Sequence, residues 1–173
     1  MKRFFHTLRL TAFLLCALLL LAASASGAKS TEELARRYLD AIMSEKYEAV
    51  LDLLPAEVVE YGMKELDGGR EDVVEYVKYA SYDYHWLSKL PTNVDYSFEM
   101  TQEESVELGA RSGKERYLLE EDGVQLYVQD AVSIRLSVQA GGAEPIRGSL
   151  FAVRIDGRWY LTSVAGDDEL FYY

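Results

Sequence analysis

The chain has 173 residues, with 18 Lys and Arg against 29 Asp and Glu, a formal net charge of −11 and a single cysteine. The acidic charge repels phosphate backbones and argues against nucleic acid as a partner, and one cysteine excludes an intramolecular disulfide and a metal site built on several thiolates. A chain of this length buries one sizeable hydrophobic core without covalent cross-links, so we expect a single folded domain.

The N-terminal segment has the pattern of a signal peptide. Basic residues precede an apolar run over 10–23, and small residues follow it up to Ala28. The run is shorter than the roughly 20 residues that a membrane-spanning helix requires. We therefore expect cleavage after Ala25, or as late as Ala28, and export from the cytoplasm. Membrane association is expected only if the segment is retained.

Cys16 lies inside this apolar run and is preceded by two leucines, whereas a lipid-attachment cysteine requires small residues just before it. Lipid anchoring is therefore disfavoured. The cleaved product would hold no cysteine and would carry 15 basic and 29 acidic residues, a net charge of −14. The predicted organisation is a signal peptide over 1–25, a single α+β domain over 29–166 and an acidic, aromatic tail over 167–173.

Four amphipathic helices are predicted at the start of the exported part. Ser30 and Glu33 form a capping box that opens the first helix, and Pro55 separates the second helix from the third. Apolar residues at helical spacing set the lengths of all four. The predicted helices cover residues 30–44, 47–54, 55–66 and 70–84.

Beyond Pro91 the chain favours strands. Apolar and polar residues alternate over 94–98 and most regularly over 132–139, as they do in strands with one buried face. Between these stretches, residues 102–117 predict a polar helix, and Glu121-Asp122-Gly123 predicts a turn. The sheet portion therefore holds at least two strands before the C-terminal hairpin.

Asp156-Gly157 predicts a two-residue hairpin, because this pair supplies the positive φ angles that such a turn requires. Both faces of the hairpin are apolar. If helices cover one face of the sheet only, then sheet curvature around a pocket, the predicted polar helix or a partner subunit must shield the side that holds Leu150, Trp159 and Leu161. The predicted pairs are Ile155 with Arg158, Arg154 with Trp159, Val153 with Tyr160, Ala152 with Leu161 and Phe151 with Thr162.

Helices followed by strands predict an α+β domain in which N-terminal helices pack on an antiparallel sheet. The helix-step-helix segment 38–54 and the closing hairpin 153–161 resemble those of the nuclear-transport-factor-2-like superfamily, in particular its small exported bacterial domains of unknown function. This resemblance implies a cone-like fold with a curved sheet, often dimeric, and leaves the activity open. Family members frequently carry a lipidation cysteine after the signal peptide, which this chain lacks.

The residue types suited to chemistry are sparse. His85 is the single histidine outside the signal peptide, so no pair of imidazoles can hold a metal, and we expect neither a metal nor a cofactor. An isomerase or dehydratase would need a buried base and a donor for an oxyanion. The candidates for those roles are His85, Asp40, Asp95 and Tyr38, which otherwise are ordinary surface or core residues.

Aromatic residues are crowded between helix four and the first strand. Such side chains bury large areas at interfaces with little loss of rotamer freedom. The candidates for ligand binding are Tyr82, Tyr84, Trp86 and Tyr96, although the same rings could simply fill the groove between helix and sheet. The sequence therefore predicts an exported, non-enzymatic binding or interaction module for an unknown ligand or protein, a second copy of the chain included. The alternative is a small-molecule pocket enzyme.

Overall fold

The structure, a computed structural model, describes residues 26–83, 86–108, 117–121 and 124–163. The helices are α1 (Thr31–Met43), α2 (Glu48–Leu51), α3 (Ala56–Glu65) and α4 (Arg70–Asp83), and a 3₁₀ turn spans Trp86–Lys89. The strands are β1 (Tyr96–Ser105), β2 (Tyr117–Glu121), β3 (Val124–Val128), β4 (Asp130–Ala140), β5 (Ile146–Ile155) and β6 (Arg158–Leu161).

The sheet is open and antiparallel, with the strand order β1-β4-β5-β6, and β2 and β3 pair separately as a hairpin. The predicted α+β class, with helices preceding and packing on an antiparallel sheet, is confirmed. Among the described residues, no helix is both long enough and apolar enough to cross a membrane.

Helix α1 begins as the capping pattern predicts. The Ser30 hydroxyl accepts a hydrogen bond from the Glu33 N–H at 3.1 Å, while the Glu33 carboxylate accepts one from the Lys29 N–H at 3.0 Å. Its buried face repeats Leu34, Tyr38 and other apolar residues at helical spacing. The predicted first helix is therefore confirmed, with its second capping bond displaced by one residue.

The second predicted helix, 47–54, is wrong in length, because α2 is a single turn. The Leu53 N–H donates to the Val50 carbonyl at 2.9 Å, the tighter i to i+3 spacing that ends a helix. The Leu53 carbonyl accepts the Leu161 N–H at 2.7 Å instead of continuing the helix. Pairing with β6 therefore replaces the last helical turn.

The predicted polar helix over 102–117 is wrong at both ends. Residues 102–105 belong to β1, and Tyr117 opens β2. Strand β1 passes a register shift between Met100 and Gln102 and then continues along β4 as far as the Ser105–Val132 pair. This long-range pairing outweighs the local helical pattern. Residues 109–116 lie outside the described part of the chain.

The closing hairpin is confirmed in its turn and in most of its register. Asp156 has a φ of 49° and Gly157 a φ of 79°, as a two-residue turn of this type requires. Four of the predicted pairs are present, from Ile155–Arg158 to Ala152–Leu161. Strand β6 ends at Leu161, so the fifth predicted pair, Phe151 with Thr162, is not part of the ladder.

The layer that shields Leu150 and Leu161 consists of the N-terminal helices, and not of the predicted polar helix, whose two ends are strands. Both leucines are fully buried on the sheet face that carries Trp86 against Gly148. Contacts of α1 with β6 and of the 3₁₀ turn with β5 complete this core. The opposite face is polar along β4, where Arg135 is exposed.

Residues Ser26–Ala28 form an N-terminal strap along the outer edge of β6. Ala28 is fully buried, and it exchanges two backbone hydrogen bonds with Trp159, each 2.8 Å long. The Gly27 N–H donates to the Asp52 carbonyl at 2.9 Å. This edge of the sheet is therefore covered by the chain's own backbone.

Candidate functional site

Two of the predicted site residues meet where α1 lies beside β1. The Tyr96 hydroxyl donates a 2.7 Å hydrogen bond to the Asp40 carboxylate. One turn earlier in α1, the Arg36 guanidinium lies over the Phe98 ring, 5.2 Å from its centroid. These contacts define the α1–β1 seam, which is polar, partly exposed and built from a helix face and an edge strand.

The Tyr96 hydroxyl in the seam keeps its proton. Burial raises the pKa of Tyr96 above its ordinary value, and the hydrogen bond to Asp40 raises it further. Tyr96 is therefore a neutral donor at physiological pH, neither a base nor a nucleophile. Asp40 is exposed, and one of its oxygens is occupied by this bond. The pair fixes the helix against the strand.

The Tyr96 pair predicts a loss of stability in alkali. Above about pH 10, the ordinary pKa of tyrosine, the unfolded chain releases the Tyr96 proton while the folded chain keeps it. The free energy of unfolding of the wild type should therefore fall with rising pH more steeply than that of Tyr96→Phe. Urea denaturation at neutral pH and at several values above pH 10 measures this difference.

The matched control is Tyr76→Phe, which removes a hydroxyl from an exposed ring. Its pH dependence should follow that of the wild type. Near neutral pH, Tyr96→Phe should cost about 1 kcal/mol, the usual net contribution of one hydrogen bond. Parallel curves for the wild type and Tyr96→Phe above pH 10 would show that the Tyr96 proton is not held by folding.

The other enzyme candidates do not join this pair. Tyr38 is fully buried in the core, whereas Asp40, two residues later, faces outward, because residues two apart on a helix do not share a face. Asp95 is exposed in the turn before β1, where its carbonyl accepts the Gly141 N–H at 3.1 Å. His85 lies outside the described residues.

The aromatic candidates are also dispersed. Trp86 is half-buried, with its indole packed over Gly148 of the inner strand β5, while Tyr96 lies on the edge strand β1, two strands away. Tyr82 belongs to α4, but its side chain lies outside the described part, as does Tyr84 entirely. Of the four candidates, the structure therefore describes the side chains of two: Trp86 packs against the core, and Tyr96 belongs to the α1–β1 seam.

Two further tyrosines of the same aromatic-rich region, outside the four ligand-binding candidates, are exposed. Tyr76 and Tyr79 of α4 are 45% and 52% exposed. They are three residues apart, and so are neighbours on the helix surface, where they flank the stripe of the buried Val73 and Val77. Helical spacing sets Tyr79 apart from this stripe but leaves Tyr76 three residues from Val73, so spacing alone does not predict that both rings are exposed.

Within 26–83, 86–108, 117–121 and 124–163, no group of three or more His, Cys, Asp or Glu side chains is placed to hold a metal. Every Asp, Glu, Lys and Arg side chain that the structure describes is at least partly exposed. Comparison with protein-family models, with curated proteins and with solved structures finds no match.

Proposed function

We propose that this chain is an exported binding or interaction module, related to the nuclear-transport-factor-2-like superfamily, that engages its ligand through its surface. The observation that carries the proposal is the exposed pair Tyr76 and Tyr79 on α4. Tyrosine offers a large contact area with only two side-chain torsions to immobilise, which favours it at binding surfaces. The signal-peptide pattern of residues 1–25 supports a role outside the cytoplasm.

The distribution of ionisable groups also favours binding over catalysis. A pocket enzyme of the isomerase or dehydratase type would need a carboxylate or imidazole buried beside its substrate. Asp40 and Asp95 are exposed, and the buried polar side chains of the described part are hydroxyls, such as Ser81 and Thr162. Surface recognition needs no such buried base.

Site-specific photocrosslinking tests the proposal. A photoreactive benzoylphenylalanine at position 76 of the full chain, produced in the cells that make the protein, should give a discrete adduct in the fraction outside the cytoplasm. The same group at Gln139, exposed on the polar face of the sheet, is the matched control and should give none. Tyr79→Ser should weaken the adduct at position 76.

The proposal is overturned if positions 76 and 139 give the same adducts, because the contact would then be non-specific. Absence of an adduct at position 76 also counts against it. An adduct confined to the cytoplasmic fraction would contradict the export that the first 25 residues predict.

A further inference from the structure

The two outer edges of the four-stranded sheet differ in whether other described residues form backbone hydrogen bonds with them. Strand β6 is covered by the N-terminal strap and by Leu53, whose carbonyl accepts the Leu161 N–H. Strand β1 is ten residues long and pairs along one side only, with β4. Among the described residues, no hydrogen bond reaches the backbone on its other side. The β1 edge is thus a ready template for a further strand.

The hydrogen-bonding groups on this edge can be assigned from the ladder. Gly141 donates to the Asp95 carbonyl, and Val106 donates to the Ala131 carbonyl at 2.9 Å. Bonded and non-bonded pairs alternate along an antiparallel ladder, and the register shifts once after Met100. The residues whose backbone N–H and C=O groups point outward are therefore Tyr96, Phe98, Met100, Glu103 and Ser105.

The side chains beside this edge differ between the two faces. On the helix-covered face, Tyr96, Phe98 and Met100 are half-buried at the rim of the core, and beyond them the exposed Glu103 accepts a hydrogen bond from the Thr31 hydroxyl. On the other face, Glu99 and Glu104 are exposed, and Glu104 lies 3.8 Å from Arg135 with both side chains about half exposed. The strand itself carries carboxylates and no Lys or Arg.

We propose that the β1 edge binds an extended segment of another protein in which apolar residues alternate with Lys or Arg. Main-chain bonds to the outward groups of β1 would hold the segment, its apolar residues would extend the rim at Phe98, and its basic residues would lie beside Glu99 and Glu104. We expect a second copy of β1 to bind this edge poorly, because its own carboxylates would lie against Glu99 and Glu104.

This inference rests on the proposed function only in that the chain binds other molecules, and it uses a different surface from the α4 tyrosines. The probes are a labelled peptide that alternates valine with lysine and a matched peptide that alternates valine with glutamate. Fluorescence anisotropy with the full chain should show binding of the lysine peptide, weakened by added salt, and at least about tenfold weaker binding of the glutamate peptide.

Charge reversal locates the site. Glu99→Lys should lower the affinity for the lysine peptide about tenfold and raise the affinity for the glutamate peptide. Glu60→Lys makes the same charge change at an exposed residue of α3 and should alter neither affinity more than about twofold. Equal responses of E99K and E60K would show that net charge, not the β1 edge, attracts the peptide, and would overturn the inference.

The backbone contribution is tested at Met100, whose N–H points outward. Met100→Pro removes this N–H without removing a bond to β4, and Met100→Ala removes the same side chain but keeps the N–H. M100P should abolish binding of the lysine peptide, whereas Met100→Ala should keep it. If both variants bind the peptide, the inference is overturned. If M100P does not fold, the comparison of E99K with E60K decides.

Tyr76→Ser combined with Tyr79→Ser should leave binding of the lysine peptide unchanged. Failure of the β1 site and failure of the α4 surface are therefore distinguishable.

Discussion

Replacing Gly148 by alanine is expected to destabilise the protein, although removing a glycine from a strand interior ordinarily stabilises it. A Cβ built on Gly148 would lie 2.0 Å from Cδ2 of Trp86, far inside van der Waals contact. The backbone gain is about 0.5–1 kcal/mol, whereas overpacking costs about 1–3 kcal/mol. We expect a net loss of about 1–2 kcal/mol in the free energy of unfolding, measured by urea denaturation followed by far-UV circular dichroism.

Gly62→Ala is the matched control for this substitution. A Cβ at Gly62 would meet the nearest atom, a methyl group of Val73, at 3.4 Å, an ordinary contact, and the glycine lies within α3. The same chemical change should there stabilise the protein by up to about 1 kcal/mol. Opposite signs for the two alanines would show that the indole, not glycine replacement as such, causes the loss at Gly148.

A double-mutant cycle assigns the cause to Trp86. In a Trp86→Ala background the space over Gly148 is open, so Gly148→Ala should become neutral or stabilising. The coupling free energy between the two changes should be about 1–3 kcal/mol. An equal loss with and without the indole would mean that the Trp86 ring is not what restricts position 148.

The contrast between Gly148 and the closing hairpin shows which parts of this fold the sequence predicts. The Asp156-Gly157 turn follows from two adjacent residues, because their φ angles are local properties and fix the hairpin register. The Ser30 cap is local in the same way. Such elements are predicted correctly because no distant residue competes for them.

The incorrect predictions involve distant partners. Local spacing favours a helix over 102–105, but these residues pair with β4 beyond the register shift that follows Met100. Helix α2 is short because Leu53 bonds to β6. In the candidate site, Asp40 and Tyr96 are 56 residues apart, and each was a candidate for a different reason. Sequence alone identified both residues, but only the fold brings them together.

Gly27→Ala is expected to release the N-terminal strap from β6. Gly27 has a φ of +75°, and a Cβ there would lie 2.6 Å from Cζ of Tyr160. The left-handed conformation costs a non-glycine residue about 1–2 kcal/mol, and displacing the ring adds about 1–3 kcal/mol. We expect an overall loss of about 2–5 kcal/mol, unless the strap detaches first, in which case the loss is limited to that of the strap contacts.

Gly157→Ala separates the two contributions. Gly157 has a φ of +79°, and a Cβ there would have no atom within 4 Å, so its substitution introduces the backbone strain alone. The additional loss at Gly27 then measures the contact with Tyr160. Equal losses for the two alanines would show that the Tyr160 ring does not lie against Gly27.

Amide hydrogen exchange shows whether the strap itself has detached. The Trp159 N–H donates to the Ala28 carbonyl at 2.8 Å, whereas the Leu161 N–H on the same edge of β6 donates to the Leu53 carbonyl at 2.7 Å. In Gly27→Ala, exchange at Trp159 should accelerate while Leu161 keeps its protection, since local opening breaks only the strap bonds. Acceleration of both amides by the same factor would indicate global destabilisation instead. Selective opening would leave β6, like β1, with unpaired backbone groups.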